Sequence, residues 1–128
     1  MKSPSKSPPK EHTRSIGMHG EQIAVDYLIR AGYEIIANNW QIWGGELDIV
    51  AQLKQKIVFV EVKFRRKKLG GSAKESLSPK KQSQFRRSSE LFLLKHDVQS
   101  ADYQYDFIAI DQQIGKYQLS HFKNIELK

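Results

Sequence analysis

Between Gly45 and Arg66 the sequence GELDIVAQLKQKIVFVEVKFRR reads as two β-strands, roughly Glu46 to Gln52 and Ile57 to Phe64, around a polar turn at Lys54 and Gln55. Carboxylates interrupt this most apolar stretch of the chain. Side chains of a strand alternate between its faces, so Glu46, Asp48 and Val50 share one face of the first segment. Ile57, Phe59, Glu61 and Lys63 share one face of the second. If the two segments form an antiparallel hairpin about the Lys54–Gln55 turn, Asp48 falls opposite Glu61 and Glu46 opposite Lys63. Opposed Cβ atoms lie about 4.5–5.5 Å apart, where like charges destabilise the pair.

The same register sets Val50 against Phe59, so this face is apolar near the turn and acidic at its far end. The other face (Leu47, Ile49, Ala51, Val58, Val60, Val62, Phe64) is apolar throughout. A sheet covered on both sides near the turn, with an opening at the charged end, has this pattern. Two readings of the acids follow. In one they lie on a solvated polar face, screened by water, with Glu46 and Lys63 as an ordinary ion pair. In the other, Asp48 and Glu61 hold a hard divalent cation, Mg²⁺ or Mn²⁺, which takes one or two carboxylates together with water and substrate phosphate. Lys63 would then stand beside the attacked phosphate. Glu21, at the edge of the apolar stripe of a preceding helix, joins them if that helix packs across the charged end.

The remainder of the chain predicts α/β architecture in the order helix, three strands, helix, two strands, with a mixed sheet. Ile23, Ala24, Tyr27, Leu28 and Ala31 fall on one helical face between Ser15 and Gly32, and Gly17 and Gly20 project toward it. YEIIANNW reads as a first strand, with Asn38 and Asn39 marking a turn before Trp40 and Trp43. Ser78 as cap and Pro79 at the first helical position open a second helix to about Lys95. Its inward side takes Lys81, Phe85, Ser89 and Phe92. Strands near Tyr105 to Ile110 and Lys116 to Phe122 follow. Residues 1–14, rich in Pro, Ser and Lys, are expected to be a disordered basic tail, leaving 15–128 as one domain.

Charge narrows the choice of partner. The net charge is +7, and ten of the 21 basic residues lie between Lys63 and Arg87 against a single acid, Glu75. Such a cluster is the footprint of a phosphate backbone or simply a solvated basic face. In the first reading Arg65, Arg66, Lys67, Lys68, Lys80, Lys81, Arg86 and Arg87 grip the backbone without sequence preference. No run approaches the ~20 apolar residues of a membrane span, and no amphipathic basic helix suggests a membrane partner. The absence of cysteine excludes disulfides and thiolate metal sites and fits a reducing compartment, so the cytoplasm is expected. His12, His19, His96 and His121 lack zinc-ligand spacing and read as surface or packing residues. Trp40 and Trp43 are candidates for base stacking, a homodimer contact or packing on the sheet.

The segments GEQIAVDYL, GELDIVA, VFVEVKFRR, SPKKQSQF and YDFIAI, in this order, resemble the YraN-like family across about 17–125. Members of that family are regarded as nucleases of the PD-(D/E)xK, restriction-endonuclease-like fold. The layout of an early Glu, an Asp and E-x-K is also similar to archaeal Holliday-junction resolvases. The resemblance implies metal carboxylates at Asp48 and Glu61, a metal-directed carbonyl at Val62, a catalytic lysine at Lys63 and an acidic helix position at Glu21. It further implies a DNA endonuclease, with branched or flapped DNA as substrate. Where relatives commonly carry Arg before the aromatic residue and Asp of the fourth strand, this chain has Gln104. A non-catalytic nucleic-acid-binding module and a protein-interaction subunit are the alternatives.

Overall fold

The computed structural model describes residues 9–66, 77–97 and 102–128, with side chains from residue 19 onward. In chain order these form α1 (Pro9–Arg30), β1 (Glu34–Ile42), β2 (Gly45–Leu53), β3 (Lys56–Arg65), α2 (Pro79–Lys95), β4 (Asp102–Gln113) and β5 (Lys116–Phe122). The strands make one sheet in the order β1-β2-β3-β4-β5. The β3–β4 pair is parallel and the others are antiparallel. Parallel neighbours need a crossover, and α2 lies within it. This is the mixed α/β layout that the sequence predicts.

Alternation sets the two layers. Ala24, Val25 and Leu28 of α1 pack on Ile49, Val60 and Ile108 on one face of the sheet. Phe85 and Phe92 of α2 pack on Val50 and Phe59 on the other. The Phe59 and Phe92 rings meet edge-on with centroids 5.8 Å apart, a geometry worth about 0.5–1.5 kcal/mol beyond the area it buries. Gly20 explains how closely α1 approaches: a Cβ there would lie 2.8 Å from Cβ of Phe64 on β3. At the start of α2, Ser78 Oγ accepts the Lys81 N–H at 3.2 Å, so Ser78 is the cap and Pro79 opens the helix.

Two expectations need correction. α1 begins at Pro9 and not at Ser15, so residues 9–14 belong to the helix. Proline is tolerated in a first turn, and Lys10, Glu11 and Arg14 are good helix formers. The remainder of the expected tail, residues 1–8, lies outside the described residues. Likewise, Asn38 and Asn39 do not end the first strand. Asn39 takes φ +56 as an irregularity within β1, and the chain turns at Trp43 and Gly44, with Ile42 paired to Gly45.

One polar cluster ties α1 to β4 and β5. Asp106, fully buried, accepts from Gln104 Nε2 at 2.8 Å and the Asn124 N–H at 3.0 Å, and lies 2.7 Å from His121 Nε2. The other ring nitrogen of His121 lies 2.8 Å from the Tyr27 hydroxyl. Gln104 therefore serves this internal network. The other histidines with described side chains also make internal contacts: His96 stacks on Phe92, and His19 Nε2 lies 2.7 Å from the Tyr117 hydroxyl.

Candidate active site

From the turn outward, β2 and β3 keep the expected register through Gln52–Ile57, Ala51–Val58, Val50–Phe59 and Ile49–Val60. At Asp48 the regular ladder stops. The Val62 N–H, which would go to a backbone carbonyl of β2 if pairing continued, donates instead to Asp48 Oδ2 at 2.9 Å. The alternation of faces breaks at the same point. Leu47 was expected beside Ile49, yet it packs with Val50 in the α2-side cluster, whereas Ile49 packs on the α1 side. Across the β1–β2 pair, Ala37 and Trp40 both reach the α2 side with the left-handed Asn39 between them, and the register itself shifts only between Ile35 and Ala37. Glu46 and Lys63 are therefore not paired across a ladder, and no ion pair joins them among the described residues.

Parting the strands opens a cavity of about 320 Å³ between β2, β3 and α2, with Asp48, Glu61, Glu46 and Lys81 in its wall. Asp48 and Glu61 thus converge. Burial pushes the Glu61 carboxyl up to about 7, the charge of Asp48 adds to this, and Lys81 opposes it with Nζ 3.4 Å from Glu61 Oε2. Burial also raises the Asp48 pKa, against the lowering pull of the Val62 N–H and of Lys81. Glu21 reaches the same acids from α1. Burial, then the charge of Asp48 and a hydrogen bond with it, pushes Glu21 up to about 7. Three acids that each favour a proton in this surrounding are the electrostatic signature of a site short of positive charge.

The donor set fits a hard cation. Among the described residues no three His, Cys, Asp or Glu side chains are disposed to hold a metal ion together. The cavity wall offers the carboxylates of Asp48, Glu61 and Glu46, and the backbone of Val62 lies beside Asp48. The N–H and C=O of one strand residue point to the same neighbour, so the Val62 carbonyl is directed to the side of Asp48. All these donors are oxygen, the ligand class of Mg²⁺ and Mn²⁺, which leave the rest of their shell to water and phosphate.

The predicted cationic residues divide. Lys63 shares a strand with Glu61 and is exposed, outside the wall of the cavity. Lys81, whose side chain is half exposed, reaches in from α2. The sequence sets Lys81 both on the inward side of α2 and among the phosphate-binding residues, and it is the inward placement that the structure shows. Lys80 and Arg87 are exposed on α2, and Arg87 lies in the cavity wall. Two others are absorbed by the fold. Arg65 Nε is 2.7 Å from Asp111 Oδ1 in a largely buried pair, and Arg86 Nη2 donates to the Leu127 carbonyl at 2.8 Å. Arg66 is exposed, and Lys67 and Lys68 lie outside the described residues.

The first tryptophan packs and the second does not. Trp40 meets Phe92 edge-on at 5.2 Å, whereas Trp43 is 97% exposed. Among the described residues no helix is long and apolar enough to cross a membrane.

Residues 20–110 match the model of the family described as Uncharacterised protein family UPF0102. A UPF0102 protein of Alkaliphilus oremlandii is 40% identical over 113 residues, covering 87% of this chain and 97% of its own. One of Herpetosiphon aurantiacus is 37% identical, covering 90% and 96%, and one of Carboxydothermus hydrogenoformans is 33% identical, covering 88% and 95%. Near-complete coverage of both partners at these identities means that the chain belongs to the UPF0102, or YraN-like, family.

Proposed function

We propose that this chain is a divalent-metal-dependent phosphodiesterase acting on DNA as an endonuclease. The observation that carries the reading is the convergence of Asp48 and Glu61 in one cavity, where burial raises both above the usual carboxylate range and the charge of Asp48 adds to the rise at Glu61. Asp48, Glu61 and the Val62 carbonyl would hold Mg²⁺ or Mn²⁺. Such a cation supplies polarisation of a phosphoryl oxygen and a lowered pKa for water. Glu21, its carboxyl pushed up to about 7, hydrogen-bonds Asp48 and would hold its orientation. Lys81 reaches the cavity from α2, and Lys63, exposed on β3 two residues after Glu61, would have to turn toward a bound phosphate to place a second positive charge on it. Lys80 and Arg87 extend that charge along α2. The likeness to junction resolvases points to branched or flapped DNA.

One observation favours a second reading. Lys81 already sets a positive charge on Glu61, as a module that binds DNA without cutting it would require. Hydrolysis of a branched DNA with Mg²⁺ or Mn²⁺ separates the two. The wild type should cleave, and Asp48→Asn, Glu61→Gln and Lys63→Ala should each lose at least about a hundredfold in rate. Cleavage that survives Asp48→Asn refutes the enzyme. Tight binding that weakens steeply with salt, without cleavage, favours the module.

A further inference from the structure

Trp43 occupies one of the two turn positions between β1 and β2, where Asn, Asp or Gly would ordinarily serve. Its side chain is 97% exposed and has no ring partner among the described residues, so it adds nothing to the core. The turn is nevertheless held firmly. Gly45 sits so close to α2 that a Cβ there would lie 3.1 Å from both Leu91 Cδ1 and Ser88 Oγ, and the Glu46 N–H donates to that same Ser88 oxygen at 3.1 Å. The next residues, Gly44 and Gly45, form part of the cavity wall with Asp48, Glu61 and Arg87. A Cβ on Gly44 would come within 3.4 Å of Arg87 Nη2. A fully exposed indole therefore projects from a turn whose next two residues, Gly44 and Gly45, line the acid cavity together with Arg87.

We propose that Trp43 is the residue by which this site selects unpaired bases: its indole stacks on a base next to the phosphate that enters the cavity. The inference rests on the reading that the cavity receives nucleic-acid phosphate. Arg87, Lys80 and Lys81 supply the attraction for the backbone, and Trp43 supplies a π-face, the two components of single-strand recognition. Inside a duplex each base has both faces covered by its neighbours and offers nothing to stack on. A base in a single strand, a flap or an opened junction does. Tryptophan presents this surface with only two side-chain torsions to fix.

The test is made on the full chain with chelator present, so that binding is read without hydrolysis. Trp43 is one of only two tryptophans. In a Trp40→Phe background, emission comes from Trp43 alone, and titration with an oligothymidylate should quench it while a long blunt-ended duplex should not. In the otherwise wild-type chain, fluorescence anisotropy should show Trp43→Ala weakening oligothymidylate binding by about five- to a hundredfold, with Trp43→Phe retaining most of it. Affinity for the blunt-ended duplex should change by less than about twofold, because an exposed turn residue leaves the basic surface intact. Equal effects on both DNAs, or unchanged oligothymidylate binding by Trp43→Ala, overturn the proposal while leaving hydrolysis at Asp48 to be judged separately. Sedimentation showing a wild-type dimer that Trp43→Ala dissociates overturns it as well, since the indole would then belong to an interface between copies.

Discussion

Glu61 works against folding once it is ionised, so replacing it should stabilise the protein in a way that depends on pH. Its carboxyl is pushed from 4.5 up to about 7 by burial and by Asp48, and its side chain is 16% exposed. Between those values the folded chain holds a proton that the unfolded chain releases, so stability falls as pH rises from about 4.5 to about 7. A displacement of this size corresponds to roughly 3 kcal/mol at full ionisation. Partial solvent access reduces it, so about 1–2 kcal/mol is expected. Glu61→Gln keeps the shape and an oxygen for Lys81 while removing the titration. Urea unfolding with chelator present should find the variant and wild type alike near pH 4.5 and the variant more stable by that amount near pH 8. Saturating Mg²⁺ near pH 8 should narrow the gap by stabilising the wild type alone. A variant less stable than wild type near pH 8, or a gap that does not vary with pH, would refute the argument.

Two further perturbations test the scaffold. Gly20→Ala should destabilise by about 1–3 kcal/mol in urea unfolding, because the Phe64 side chain already stands where the new methyl must go, and its cost should be smaller in a Phe64→Ala background, which removes the crowding Cγ and Cδ1. Asp106→Ala should cost about 3–5 kcal/mol, read as a lowered thermal midpoint, since it strips His121 and the Asn124 N–H of a buried partner.

Local patterns in the sequence were legible where the physics is local. The β2–β3 register follows from alternation and an even turn, and the α2 start follows from Ser78 and Pro79. The convergence of Asp48 with Glu61 was visible as well, because it lies within one hairpin. Its detailed geometry was not. The parity break at Asp48 lies beside a left-handed Asn39 in the neighbouring strand, and alternation alone predicts neither. Residues far apart in the chain were also opaque. Arg65 and Arg86 look like free phosphate ligands until Asp111 and the Leu127 carbonyl are found beside them. The Tyr27–His121–Asp106 network joins positions that only the assembled sheet brings together. Trp40 and Trp43 look alike in sequence, and only the position of the turn separates a core ring from an exposed one.

The bond from Val62 to Asp48 has a corollary for how such a protein could change. A backbone amide asks its partner for an oxygen and is indifferent to whether that oxygen carries charge. Exchange of one carboxylate oxygen of Asp48 for an amide nitrogen would therefore leave the sheet assembled while removing a negative charge from the cavity. Any chemistry of the cavity that relies on that charge could thus be silenced with no visible scar in the architecture.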